Sequence, residues 1–135
     1  MGESRCAFHL VVRAHQAACS QAEHVTRRDG PDVLCADPQA QARCALLYQR
    51  LKDAALPAFG VADDPLTVPQ ATLAKVQLGG LLGLQGLLDA DSESVSDVHG
   101  VVSVAVGRFG SVGAVPVGDL VDGITQLKLK RRRRQ

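Results

Sequence analysis

The amino-acid sequence predicts a mainly α-helical fold, a compact bundle of four to five helices with a short N-terminal strand as the one alternative. Three observations carry that expectation. The only aromatic residues are Phe8, Tyr48, Phe59 and Phe109, so the core must be built from Leu, Val and Ala, which suit close-packed helices. Apolar residues recur at steps of three and four along several stretches, keeping them on one helical face. Asp37-Pro38 is a strong helix start, because the aspartate accepts from free amides of a first turn and proline suits the first helical position. At 135 residues the chain has enough apolar surface to fold as one domain without disulfides or a metal. We place that domain over residues 1–127 and a basic tail over residues 128–135.

Residues 7–25 form a stripe of Phe8, Val11, Val12, His15, Cys19 and Ala22 and are expected to be helical. The competing reading makes residues 8–12 a strand, with a helix beginning near His15. Residues 26–31 (TRRDGP) break the pattern. A helix over 38–55 follows, with Ala40, Cys44, Leu47, Leu51, Ala54 and Ala55 inward and Arg43, Gln49, Arg50 and Lys52 mostly outward. Pro57, Gly60, Asp63, Asp64 and Pro65 end it in a loop.

The next helix opens at Pro69 and runs to Leu88. It carries Gly79, Gly80, Gly83 and Gly86, each costing up to about 1 kcal/mol relative to alanine, so close packing must offset them. Gly79, Gly83 and Gly86 share one side, where a neighbouring backbone or a bulky ligand is able to approach. Residues 89–97 (DADSESVSD) make an acidic surface linker, with Ser92 and Ser94 as capping candidates for a helix reaching Phe109. The valines of that helix and its Gly100 and Gly107 make a strand the competitor. Residues 109–117 are turn-like, and a last helix begins near Gly118 or Asp119.

Chemistry is suggested mainly by four cysteines within the first 44 residues, Cys6, Cys19, Cys35 and Cys44. The chain begins without a cleavable signal peptide, which predicts a cytoplasmic setting and reduced thiols. Four thiolates complete a tetrahedral zinc site or hold one iron–sulfur cluster of the 4Fe–4S kind. No CxxC clip is present, and plain burial of cysteine as a small hydrophobe is the competing reading. Geometry constrains the idea: a continuous helix would put Cys6 and Cys19 roughly 20 Å apart, so a shared site requires the chain between them to fold back. Cys35 lies just before a helix N-terminus, where free amides favour a thiolate. His15 lies four residues before Cys19 and would share a helical face with it, and His15 and His24 are weaker ligand candidates beside the cysteines.

Catalytic signatures are missing. There is no GxSxG, no HExxH and no phosphate loop, since LGGLLGL lacks the required lysine. An enzyme working through a single reactive cysteine is the remaining catalytic option. The longest apolar run, eleven residues over 78–88, is too short for a membrane span, which needs roughly twenty.

The formal charge of +1 hides an asymmetry, because Lys128, Lys130, Arg131, Arg132, Arg133 and Arg134 put six positive charges in the last eight residues. That tail offers charge-driven contact with nucleic acid or an acidic partner. The functional expectation is a small metal-binding or iron–sulfur protein with an electron-transfer, sensing or accessory role and an unidentified protein partner. The glycine face of the third helix would cover its site. The alternative is a non-enzymatic helical interaction or regulatory domain with buried cysteines.

Overall fold

A computed structural model describes residues 5–28, 30–60, 68–88 and 95–127. The fold is mainly helical, with one antiparallel hairpin. The elements run α1 (His9–Arg13), β1 (Ala22–Arg27), β2 (Gly30–Cys35), α2 (Pro38–Ala55), α3 (Gln70–Leu87), α4 (Val98–Phe109) and α5 (Val121–Gln126). Short 3-10 turns at Leu56–Phe59, Val112–Ala114 and Val117–Leu120 join the later helices.

Helix α3 lies at the centre and packs against α1, α2, α4 and α5. Its apolar run supplies Val76, Leu81 and Leu84 to a core completed by Phe8, Val11, Leu47, Leu51, Val102 and Ile124. Its glycines set the spacing. A Cβ on Gly79 would lie 2.9 Å from Ile124 Cα, and one on Gly83 would lie 3.0 Å from Leu120 Cδ2. The glycine face therefore seats α5 and the turn before it, which corrects the expectation that it covers the cysteines. Gly86 meets nothing within 4 Å, so the small side chain there is not demanded by a neighbour.

Helix α2 forms as its sequence predicts. Asp37 accepts from the amides of Gln39 at 3.0 Å and Ala40 at 3.3 Å, and Pro38 opens the first turn. Arg43 and Arg50 do not point outward as expected. Arg43 Nη2 donates to Ser103 Oγ of α4 at 2.9 Å, and Arg50 Nη1 donates to the carbonyls of Val112 and Val115 at 2.7 Å. These two arginines pin α2 to α4 and to the turns that follow it.

The N-terminal quarter departs furthest from expectation. The long helix over 7–25 is replaced by a five-residue α1, and residues 8–12 are helical turn and helix, not strand. The chain reverses at His15, whose φ of 62° is the left-handed conformation usually left to glycine after a helix. Gln16 and Ala17 both donate to Val11 O, at 2.8 and 3.2 Å, and fold the chain back. Ala17 then forms a parallel bridge to Val95. Strands β1 and β2 make the hairpin, in register from Ala22 opposite Cys35 to Arg27 opposite Gly30. Pro31 is tolerated because both strands of a two-stranded sheet are edges.

On β2, Asp32 is buried beneath two arginines. Burial alone would raise its pKa, but the Val33 amide at 2.8 Å, the Arg5 guanidinium at 3.1 Å and Arg27 at 3.3 Å together hold the carboxyl below its ordinary value. Among the described residues no helix is long and apolar enough to cross a membrane. The basic tail, the Asp63–Asp64 loop and the Ser92 and Ser94 caps lie outside the described residues.

Candidate functional site

Each of the four cysteines comes from a different local structure. Cys6 sits in the turn before α1, where its amide donates to Val33 O of β2 at 3.0 Å and Arg5 bridges to Leu34. Cys19 lies in the segment that returns from His15 and is laid across the start of α4. Ala18 N–H donates to Val95 O at 2.9 Å, Val98 N–H donates to Ala18 O at 2.8 Å, and Ser20 N–H donates to Asp97 Oδ1 at 2.9 Å. Cys35 ends β2, and its thiol donates to Asp37 O at 3.3 Å. Cys44 lies on the inward face of α2 at 7% exposure.

The reversal at His15 meets the condition that a shared site imposes, since Cys6 and Cys19 do not lie on one helix. The thiols are electrostatic neighbours in every pairing. The charge of Cys19 and of Cys35 bears on Cys6, that of Cys35 bears on Cys19, and all three bear on Cys44. All four are free thiols. Among the described residues, no three or more His, Cys, Asp or Glu side chains are arranged to hold a metal ion as they stand. The thiols thus act on one another's charge, but among the described residues they do not form a metal-holding group.

Burial dominates the protonation of Cys6, Cys19 and Cys44. It pushes Cys6 up to about 11 and Cys44 up to about 12, with the neighbouring thiolates adding to the rise. Burial also raises Cys19. Main-chain amides oppose this effect: Phe8 donates to the sulfur of Cys6, while Gln21 and His99 donate to that of Cys19. Cys19 therefore lies against the N-terminal end of α4, and Cys35 just before that of α2.

A measurement follows from these values. At pH 8 a thiol of pKa about 11 or 12 is only ~10⁻³ to ~10⁻⁴ thiolate, against roughly a quarter for an unperturbed one. In the metal-free native chain, iodoacetamide should label Cys6 and Cys44 at least about 100-fold more slowly than in urea, as read by mass spectrometry. Labelling of either at the unfolded rate would contradict its burial.

The histidines are arranged differently from expectation. His15 and His24 are both exposed and stack on each other, with ring centroids 5.6 Å apart and planes 16° from parallel. His15 does not share a helical face with Cys19, because no helix joins them.

Three residues overlooked in the sequence shape this region. Asp97 holds the Cys19 segment through Ser20; burial raises its pKa, yet the Ser20 amide and hydroxyl keep the carboxyl below its ordinary value. His99 supplies the amide at Cys19. Gln77 of α3 is fully buried and takes the place of a missing cap on α1. Its Oε1 accepts from Leu10 N–H at 3.1 Å and Val11 N–H at 3.3 Å, and its Nε2 donates to Ala7 O at 3.2 Å, next to Cys6. No family model, no curated protein and no solved structure matches this chain.

Proposed function

We propose that this chain is a small metal-binding protein whose gathered cysteines hold one thiophilic centre, a zinc ion or an iron–sulfur cluster. What supports the reading is that four free thiols from four separate local structures lie near enough for each to feel the charge of the others, although no three of them form a metal-holding group as they stand. Plain burial of cysteine explains one thiol at a time, but not the mutual electrostatic influence of all four.

Chemically the region suits soft metal. Amides directed at Cys6 and Cys19, and helix N-termini at Cys19 and Cys35, stabilise the negative charge that thiolate ligation creates. Binding would require the thiols to give up protons and move toward a common point. The arrangement fits electron transfer, sensing or an accessory role, and the basic residues Lys128, Lys130 and Arg131 to Arg134 offer a charge-driven contact with nucleic acid or an acidic partner.

The test is anaerobic purification followed by elemental analysis and absorption spectroscopy. Stoichiometric zinc, or iron with sulfide and broad visible absorption, is the expected result, and Cys44→Ser should lose most of it. A stably folded chain that takes up neither Zn²⁺, Co²⁺ nor a reconstituted cluster would overturn the proposal and leave the helical interaction domain as the better reading.

A further inference from the structure

A depression of about 240 Å³ opens on the hairpin, lined by Arg5, Arg27, Asp32 and Leu34. Strand periodicity brings these residues together. Asp32 and Leu34 are two apart on β2 and share one face, while Val33 between them is fully buried on the other. Leu34 bridges to Arg5 on one side, and Gly30, two residues before Asp32, stands opposite Arg27 on the other. Asp32 thus receives an arginine from each flanking segment. The main chain at Arg5 is fixed as well, because Cys6 N–H donates to Val33 O at 3.0 Å and Gln41 Nε2 donates to Arg5 O at 3.1 Å.

The charges are layered in depth. The Asp32 side chain is 7% exposed, against 59% for Arg5 and 37% for Arg27. One oxygen, Asp32 Oδ2, accepts from Arg5 Nη2 at 3.1 Å and Arg5 Nε at 3.3 Å, and lies 3.3 Å from Arg27 Nε. The other, Oδ1, accepts from the Val33 amide at 2.8 Å. Two guanidiniums that would repel each other are therefore held side by side on a sunken carboxylate, and two positive charges against one negative leave the group at +1. Among the described residues Arg5 commits Nε and Nη2 to Asp32 and gives its Nη1 to no acceptor. Glu23, opposite Leu34 on the same face, does not line the depression.

Paired guanidiniums at the mouth of a small hollow suit an anion with several oxygens, because each planar fork offers parallel N–H donors. A phosphoryl dianion matches the pair better than a carboxylate does, having one more oxygen and one more charge. The hollow is smaller than the roughly 300–1,000 Å³ of pockets that enclose a whole ligand, so it fits the phosphoryl group itself.

We propose that this depression binds a phosphoryl dianion, either inorganic phosphate or the terminal group of a phosphate monoester, with Arg5 and Arg27 as donors and Asp32 as the residue that positions both. No cysteine lines the depression, so the site stands or falls separately from metal binding.

NMR titration of the ¹⁵N-labelled full-length chain tests it, at constant ionic strength and above neutral pH, with phenyl phosphate, inorganic phosphate and dimethyl phosphate as probes. Phenyl phosphate should shift the Nε–Hε resonances of Arg5 and Arg27 and the amides of Val33 and Leu34 saturably, with a Kd of about 1 mM or tighter. Arg5→Gln should weaken binding at least about fivefold, and Arg5→Lys, which keeps the charge but not the fork, at least about threefold. Replacing Arg131 to Arg134 with glutamine should leave it within about twofold, and circular dichroism of each variant checks that it folds. Tighter binding of phenyl phosphate than of inorganic phosphate supports a monoester as the ligand, and equal binding supports the free ion. Equal binding of dimethyl phosphate, a singly charged diester, would overturn the dianion assignment. Wild-type shifts that sodium chloride reproduces, or Arg5→Gln binding as tightly as wild type, would overturn the site.

Discussion

Replacing Gln77 with leucine should destabilise the fold by about 3–5 kcal/mol, although the substitution is close in volume and adds apolar surface to a core position. Helix α1 is only five residues long, and Phe8 at its N-cap has no side chain able to accept from the first-turn amides. Gln77 does so from across the core, accepting from Leu10 and Val11. Leucine would leave both amides and the Ala7 carbonyl buried without partners, at about 1–3 kcal/mol for each group, and its added burial returns only part of that. Urea denaturation measures the loss. A second readout locates it: hydrogen exchange at Leu10 and Val11 should speed up, and Cys6 should label faster, because Ala7 is its neighbour. A loss below about 1 kcal/mol would mean that α1 finds other acceptors and that Gln77 does not organise the first cysteine.

That dependence on a distant side chain explains why the N-terminal quarter was not legible in the sequence. Helices α2 and α3 form where local chemistry says they should, since Asp37, Pro38 and Pro69 punctuate them and their apolar residues follow one period. Residues 7–25 have the same period but end their helix at Arg13. The reversal there is dictated by long-range pairing of residues 17–20 with the start of α4, and no glycine or proline marks it. The hairpin was more accessible. Asp29-Gly30 is a turn signal between residues including the β-branched Val25, Thr26 and Val33, and a dipeptide of that kind joins two strands as readily as it stops a helix.

The candidate site divides along the same line. The cysteine inventory is visible in the sequence, but irregular spacings over four local structures conceal which thiols meet. Asp97 and His99 meet the Cys19 segment only because residues 17–20 are laid across the start of α4, a long-range pairing that no local pattern marks. His15 and His24 illustrate the opposite error: a spacing of four residues before Cys19 suggested a ligand pair, and the absence of a helix there removes its geometric basis.

Two glycines on α3 should respond to alanine in opposite directions, and the contrast tests how the bundle is held together. Alanine is favoured over glycine in a helix by about 0.8–1 kcal/mol, so a glycine free of neighbours should gain stability when replaced. Gly86 meets this condition, with nothing within 4 Å of an added Cβ, and Gly86→Ala should gain about 0.5–1 kcal/mol. At Gly79 the same methyl group would lie 2.9 Å from Ile124 Cα, and backbone cannot rotate out of the way as a side chain does. Helix α5 must then move off α3, and Ile124, which is fully buried, loses part of its packing. Overpacking of this kind costs about 1–3 kcal/mol, so Gly79→Ala should lose about 1–2 kcal/mol even after the gain in helix propensity. Parallel urea denaturation of the two variants checks both signs. If Gly79→Ala were stabilising, α5 would not be seated closely on α3, and the glycines would have no packing role to offset their cost.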